Sequence, residues 1–319
     1  MPEKRVIVVH PHGFCAGVAR AITAAEEALK RGSGPVYCLH EIVHNTQVVT
    51  ELAGRGMRFV ERLEDVPPGA IVLFSAHGVT PSAHVTARER HLRVIDATCP
   101  FVAKVHQEVR KFAANGYTVV CIGHRKHDEV VGVVGEAPDR VVVVENIAEA
   151  RLVQVANPNR VAVVTQTTLS PNMVDDIRTV LRERFPSLRE AAHGDVCYAT
   201  RNRQQAVRSL AARTNLVLVL GSASSSNSRR LVETAQETGG QAVLIGSVED
   251  LHKLDLTAIK TLGITSGAST PSSFLLEALA FLNKHGFGDV EHLHAVAERE
   301  MVFALPPSLA SAFAGPQKK

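Results

Sequence analysis

Short, wholly apolar runs alternate along nearly the whole chain with stretches of helical periodicity. Four of these runs cover residues 6–9, 71–74, 161–164 and 216–220. A strand that is apolar on both faces is typical of a parallel sheet with helices packed on both sides. The alternation therefore predicts an α/β protein built from parallel sheets.

Polar residues are concentrated where the predicted strands end and the next helices begin. These junctions are rich in glycine, histidine, serine and threonine, as in residues 10–17, 96–100, 123–129, 165–171, 221–228 and 266–271. In open parallel sheets, ligands bind at the carboxyl ends of the strands. We therefore expect the functional site to be assembled from these junctions.

Three of the five cysteines occupy such junctions, namely Cys15, Cys99 and Cys197. The first two are 84 residues apart and the last two are 98 residues apart, and each interval holds a similar set of strands and helices. We therefore predict three pseudo-repeated α/β lobes, each contributing one cysteine. The predicted boundaries are 14–97, 98–194 and 195–285, with an N-terminal strand in 1–13 joined to the third lobe and a C-terminal tail in 286–319.

The chemistry of these cysteines has two interpretations at this point. Unpaired N–H groups at a helix start lower the pKa of a thiol, and three thiolates suit an iron–sulfur cluster or zinc. Alternatively, they are three unrelated buried cysteines, since the chain has no CxxC motif. Cys38 and Cys121 lie within apolar strands and have the pattern of ordinary core residues.

Three junctions have the composition of an anion-binding cradle. The longest contains Ser225, Ser226 and Asn227, and shorter ones contain Ser269 and the pair Thr167-Thr168. Hydroxyls and backbone amides at a helix start bind phosphate groups. The alternative for each is simple N-capping, which needs only one residue per helix.

Histidines and one acid complete the candidate set. His44, His77 and His127 lie in junction loops and could carry positive charge to a phosphate, although loop histidines are often only solvated. Glu129 follows His127 by two residues. It is either a general acid or an ordinary first-turn acid favoured by the helix dipole.

Composition excludes several classes of function. The formal net charge is only +3, aromatic residues make up 4%, and no basic run predicts a nucleic-acid partner. No apolar run approaches the roughly eighteen residues of a membrane span, and the apolar core near the N-terminus is too short for a signal peptide. An odd number of widely spaced cysteines favours a reducing cytoplasm over a disulfide framework.

A series of motifs closely resembles the LytB/IspH family, the 4-hydroxy-3-methylbut-2-enyl diphosphate reductases of the non-mevalonate isoprenoid pathway. The match runs in order from Gly13 to about Pro306. The motifs are HGFCAGV at 12–18, HEIVHN at 40–45, SAHGV at 75–79, DATCP at 96–100, TQTTLS at 165–170, CYAT at 197–200, SSNS at 225–228 and GAS at 267–269.

The resemblance implies a fold and a cofactor. In that family three α/β lobes form a trefoil around a central cleft that contains the cluster. The cofactor implied is a [4Fe-4S] cluster with one iron not ligated by protein. The matching ligands are Cys15, Cys99 and Cys197.

It also implies a reaction and its residues. The substrate is an allylic diphosphate, which loses its hydroxyl by reductive dehydroxylation to give isopentenyl and dimethylallyl diphosphate. Glu129 and Thr167 match the catalytic positions, with Glu129 delivering a proton. The substrate-binding positions match His44, His77, His127, Thr167, Thr168, Ser225, Ser226, Asn227 and Ser269. The electrons must come from outside the chain, because it has no G-x-G-x-x-G fingerprint. The resemblance implies a ferredoxin or flavodoxin as the electron donor.

Two residues depart from the family pattern. Asp128 stands where Pro is usual, and His12 stands where Arg is common. Two alternative functions also remain, a non-redox hydro-lyase that uses an open iron and an iron–sulfur redox sensor without enzymatic activity. A strand-like pattern at Glu300–Leu305 is the last regular element that we predict.

Overall fold

The computed structural model describes residues 4–32, 34–191, 194–298 and 301–313. Its strands are β1 Arg5–His10, β2 Val36–Leu39, β3 Met57–Val60, β4 Ile71–Phe74, β5 Arg93–Asp96, β6 Thr118–Ile122, β7 Val141–Val144, β8 Val161–Thr165, β9 Arg189–Glu190, β10 Leu216–Leu220, β11 Gln241–Ile245, β12 Thr261–Ser266 and β13 Asp289–His294.

The α-helices are α1 Ala16–Arg31, α2 Thr46–Gly54, α3 Pro81–Glu89, α4 Pro100–Ala114, α5 Asp128–Gly135, α6 Ile147–Leu152, α7 Pro171–Arg184, α8 Tyr198–Ala211, α9 Ser226–Glu237, α10 Val248–Leu251, α11 Ser272–Lys284 and α12 Pro307–Phe313. A short 3-10 helix covers Leu63–Asp65. Proline at the first helical position begins α3, α4 and α7.

The chain divides into two compact units. The first comprises Met1–Cys15, His44–Val48 and Tyr198–Met301. The second comprises Ala16–Val43, Val49–Cys197 and Val302–Lys319.

The first unit contains a five-stranded sheet in the order β11-β10-β12-β1-β13. All of its pairings are parallel. Alternate residues of β1 belong to two different cores: Val6 and Val8 pack in one cluster, Ile7 and Val9 in the other. Burial on both faces is the reason that this strand is apolar throughout.

The second unit contains two four-stranded sheets. Their orders are β3-β2-β4-β5 and β7-β6-β8-β9, and every pairing is again parallel. With the sheet of the first unit, these make three parallel sheets among the described residues. The predicted α/β class with three lobes is thus confirmed.

The C-terminal region differs from the sequence-based expectation. Residues 301–305 form no strand, and Glu300 lies outside the described residues. The strand is instead β13, which pairs in parallel with β1 over its whole length. It is an edge strand with a polar, mostly exposed sequence, so it lacks the apolar run that marks the other strands.

Candidate functional site

The three junction cysteines lie at the starts of three helices. Cys15 directly precedes α1, Cys99 is the N-cap of α4, and Cys197 directly precedes α8. All three are only half-buried, whereas Cys38 and Cys121 are buried within β2 and β6. Burial raises the pKa of the Cys38 and Cys121 thiols well above their ordinary range, so these two are core residues.

One backbone hydrogen bond recurs at all three cysteines. The N–H of Cys15 donates to the carbonyl of Ala268 at 3.1 Å. The N–H of Cys99 donates to Ala76 at 3.0 Å, and that of Cys197 to Thr167 at 3.1 Å. Each acceptor lies two residues after a strand, namely β12, β4 and β8. The same local geometry therefore presents each thiol at the carboxyl end of a sheet.

This donor set fits an iron–sulfur centre. Cysteine thiolates are the ligands that such centres use, and these three half-buried cysteines all lie at helix starts. Cys15 belongs to the first unit, and Cys99 and Cys197 belong to the second.

Glu129 lies in the first turn of α5 with its side chain buried at 2% exposure. Its carboxylate accepts the backbone N–H of Thr167 at 2.6 Å and the Thr167 hydroxyl at 3.1 Å. Burial, opposed by these two hydrogen bonds, raises the pKa of Glu129 to about 7. The carboxyl can therefore hold or release a proton near neutral pH.

The loop before α5 orders this acid. The imidazole Nδ1 of His127, the N-cap residue, accepts the backbone N–H of Glu129 at 3.2 Å. Asp128 occupies the first helical position, where proline is also favoured, so aspartate in place of proline is compatible with the same helix start. The Asp128 carboxylate lies 3.9 Å from Nδ1 of His77.

Thr168 is oriented by a residue that the sequence did not single out. The side-chain amide of Gln166, directly after β8, donates to the Thr168 hydroxyl at 2.9 Å. The Gln166 carbonyl oxygen accepts the backbone N–H of His124 at 3.0 Å. Its position immediately after a buried strand is the signal that could have identified it.

The serine-rich junction of the first unit forms a crowded polar cradle. Ser225 caps α9 by accepting the backbone N–H of Ser228 at 3.2 Å. The next three residues, Ser226, Asn227 and Ser228, are all buried. Among the described residues, neither the side-chain nitrogen nor the side-chain oxygen of Asn227 has a hydrogen-bond partner. Unpaired buried polar atoms of this kind are expected at a site that binds a polar ligand.

Two glycines allow this cradle to close. A Cβ built on Gly221 would lie 2.3 Å from the Ser228 hydroxyl oxygen, and one built on Gly267 would lie 2.1 Å from it. Neither position therefore admits a side chain without movement of Ser228. N-capping explains Ser225 alone and leaves the buried residues after it without a capping role.

His44 and Ser269 meet in the first unit. The Ser269 hydroxyl donates to the backbone carbonyl of His44 at 3.0 Å. His44 directly precedes Asn45, whose side chain accepts the backbone N–H of Val48 at the start of α2. The hydrogen bond between Ser269 and His44 holds the His44 loop against the junction that follows β12.

The predicted site residues thus fall into two groups. The first unit holds Cys15, His44, Ser225, Ser226, Asn227 and Ser269. The second unit holds His77, Cys99, His127, Glu129, Thr167, Thr168 and Cys197. The structure brings residues together within each group, and their functional roles remain predictions. None of the described helices is both long and apolar enough to cross a membrane.

Three parallel sheets with polar, cysteine-bearing junctions at their carboxyl ends define an α/β enzyme. The profile of the LytB protein family matches residues 6–283. The chain belongs to the LytB family.

Curated relatives and a solved structure agree with this assignment. A 4-hydroxy-3-methylbut-2-enyl diphosphate reductase from Acidothermus cellulolyticus is 49% identical over 97% of this chain and 91% of its own. The enzyme of the same name from Mycolicibacterium gilvum is 48% identical over 95% of this chain and 91% of its own. The solved structure of the E-1-hydroxy-2-methyl-but-2-enyl-4-diphosphate reductase from Plasmodium falciparum is 37% identical, with a TM-score of 0.93 over 97% of this chain and 98% of that one.

Proposed function

We propose that this chain reduces 4-hydroxy-3-methylbut-2-enyl diphosphate to isopentenyl and dimethylallyl diphosphate, the last step of the non-mevalonate pathway. The reaction consumes two electrons and two protons, breaks the allylic C–O bond and releases the hydroxyl as water. Relatives that align with nearly the full length of the chain are named for this activity.

One observation carries the mechanistic part of the proposal. Thr167 donates its N–H and hydroxyl to the Glu129 carboxylate, and its carbonyl accepts the N–H of Cys197. A proton donor and a candidate cluster ligand are therefore joined through a single residue. This arrangement is suited to a proton-coupled reduction beside a metal centre.

Cys15, Cys99 and Cys197 would hold a [4Fe-4S] cluster through three of its irons. When bound, the cluster would supply electrons and, at the iron without a protein ligand, a Lewis acid for the substrate oxygen.

The protein groups bind the diphosphate and deliver the proton. Ser225, Ser226, Asn227 and Ser269 would hold the phosphate oxygens by hydrogen bonds, with the positive end of α9 facing them. His44, His77 and His127 would contribute further hydrogen bonds and partial positive charge. These contacts neutralise a diphosphate without a bound metal ion.

Glu129 would give its proton to the departing hydroxyl. Its raised pKa keeps a large fraction of the carboxyl protonated at neutral pH, which a general acid needs. Thr167 holds the carboxylate after the proton has left, because its two donors favour the ionised form. Thr168, oriented by Gln166, would contact the hydroxymethyl end of the substrate.

The electrons would come from a ferredoxin or flavodoxin, and the cytoplasm is the compartment in which free thiols and such donors coexist. The test is anaerobic turnover of the purified chain with a chemical reductant. Product formation that depends on the reductant supports the proposal. Conversion of substrate without any electron donor would indicate a hydro-lyase instead, and an intact cluster that binds no diphosphate would indicate a sensor.

A further inference from the structure

Each junction cysteine has a basic side chain bonded to the backbone just before it. The Arg20 guanidinium donates from Nη1 to the carbonyl of Thr98, one residue before Cys99, at 3.0 Å. The other two contacts follow the same pattern at Cys197 and Cys15.

Lys104 donates from Nζ to the carbonyl of Gly194, three residues before Cys197, at 3.0 Å. Arg203 donates from Nη2 to the carbonyl of Gly13, two residues before Cys15, at 2.8 Å. Arg203 is 1% exposed and is among the largest fully buried side chains of the described residues. Burial of a guanidinium is costly unless its hydrogen bonds are specific, so this contact is under strong structural constraint.

The three contacts form a cycle. Arg20 lies on α1, the helix that begins after Cys15, and holds the Cys99 loop. Lys104 lies on α4, which begins after Cys99, and holds the Cys197 loop. Arg203 lies on α8, which begins after Cys197, and holds the Cys15 loop. Each cysteine helix therefore secures the loop of the next cysteine in the cycle.

Two of the three loops also contain a carboxylate that forms further hydrogen bonds. Asp96 accepts the backbone N–H of Thr98 at 3.0 Å and also its hydroxyl. Asp195, whose side chain is fully buried, accepts the backbone N–H of Thr165 and lies 3.6 Å from Lys104. Lys104 is thus part of an ordered network of hydrogen bonds and ion pairs.

A second bond from Arg20 ties the C-terminal segment to this network. Its Nε donates to the carbonyl of Ala304 at 2.8 Å, while Phe303 packs edge-to-face on Phe101, two residues after Cys99. The Arg20 guanidinium also lies within electrostatic reach of Cys99: burial lowers its pKa, and the charges of Asp96 and of the Cys99 thiolate oppose that lowering.

We propose that Arg20, Lys104 and Arg203 form a cyclic cation brace that positions the three cysteine loops for one metal cluster and stabilises its negative charge. The inference rests on the proposed function, since it assigns these residues to the cluster that the cysteines would hold. They are positioning residues, because they act through the loop backbone. Pre-ordering the loops lowers the entropic cost of ligating a cluster from three distant parts of the chain.

The first test compares cluster retention in Arg20→Gln, Lys104→Gln and Arg203→Gln, purified anaerobically as full chains. Loss of a charge-assisted hydrogen bond at one ligand loop should speed iron loss to a chelator by roughly tenfold. Arg31→Gln on α1 and Lys111→Gln on α4 are the controls, because both side chains are exposed and neither contacts a cysteine loop. Equal rates of iron loss in brace variants and controls would overturn the proposal.

Amide hydrogen exchange on the same preparations tests the cyclic order. Arg20→Gln should raise exchange in residues 96–99 and leave residues 12–15 protected, although Arg20 is much closer in sequence to Cys15. Increased exchange around Cys15 alone, or uniformly along the chain, would contradict the brace. If the wild-type chain holds no iron, the proposed function fails, while the exchange pattern still decides whether the loops are braced in this order.

The reduction potential separates a charge role from a packing role. Arg20→Gln should lower the midpoint potential of the cluster, because the added electron loses a nearby positive charge. Arg20→Lys keeps the charge but can make only one of the two backbone bonds, so it should retain the potential and lose part of the exchange protection. Equal midpoint potentials in Arg20→Gln and Arg20→Lys would contradict the proposal that Arg20 stabilises the negative charge of the cluster. If Arg20→Gln does not fold, Lys104→Gln and Lys104→Arg provide the same comparison.

Discussion

The Glu129 carboxylate accepts both the backbone N–H and the hydroxyl of Thr167, at 2.6 Å and 3.1 Å. Opposing effects act on this acid: burial and, to a lesser extent, the charge of Asp195 favour the neutral carboxyl, and the two donors favour the carboxylate. Burial is the larger, so the pKa of Glu129 is raised to about 7. An acid with this pKa can donate at neutral pH and can be reprotonated from water between turnovers.

The pH dependence of turnover follows from this pKa. Protonated Glu129 is the reactive form, so kcat should be constant at acidic pH and fall about tenfold per pH unit well above pH 7. Glu129→Gln should lower kcat by roughly 10²–10⁴-fold and remove this alkaline limb. The measurement is a kcat profile from pH 6 to 9 with a chemical reductant in excess.

Glu183→Gln is the matched control, because Glu183 is an exposed glutamate on α7. It should keep the wild-type profile. A Glu129→Gln enzyme with the wild-type rate and the same alkaline limb would remove Glu129 from the mechanism.

The cysteines divide into two classes that mutagenesis can separate. Cys99→Ser should lose the iron and nearly all activity, since serine replaces a thiolate ligand at the start of α4. Cys38→Ala should retain both, because Cys38 is buried within β2 and has no ligand role. Iron content and turnover, measured on anaerobically purified protein, test both expectations. Wild-type iron content in Cys99→Ser would contradict the ligand assignment.

Asn227 should contribute strongly to diphosphate affinity. Its buried side-chain NH₂ group has no partner among the described residues, so it can donate to ligand oxygens without breaking an existing bond. Asn227→Ala should weaken binding of inorganic diphosphate about tenfold or more in calorimetry. Ser224→Ala, an exposed change in the same loop, should leave the affinity unchanged. Equal affinities in the two variants would place the ligand elsewhere.

Gly267 tests the packing of the cradle. A Cβ at this position would lie 2.1 Å from the Ser228 hydroxyl oxygen but 3.3 Å from the Ser228 Cβ. Gly267→Ala should therefore lower the free energy of unfolding by about 1–3 kcal/mol, and Ser228→Ala in the same chain should restore most of it. Chemical denaturation measures both. Additive losses in the double variant would mean that the clash with Ser228 is not the cause.

Much of the fold could be predicted from the sequence because its strands are apolar on both faces. β4, β6, β8 and β10 are buried over their whole length. Such strands consist mainly of apolar residues, and a run of apolar residues is visible in the sequence without any tertiary information. β13 could not be predicted in this way: its edge position lets polar residues face outward, and it is recognised only by its pairing with β1.

Some residues of the candidate site could be predicted from the sequence and others could not. Cysteine, serine and threonine at strand ends are visible as motifs, so most of its residues could be named in advance. Arg20, Lys104 and Arg203 could not, because on a helix a basic residue has the pattern of an exposed face. Their side chains donate to backbone carbonyls that lie 78, 90 and 190 residues away in sequence, respectively. Long-range contacts of this kind leave no local signal.

Anaerobic iron and sulfide quantitation, joined to a turnover assay on the same sample, tests the proposed reaction most directly. The expected result is a brown protein with iron and sulfide in equal amounts, whose formation of isopentenyl and dimethylallyl diphosphate requires an added reductant. A colourless, iron-free protein that still converts the allylic diphosphate to these products would contradict it.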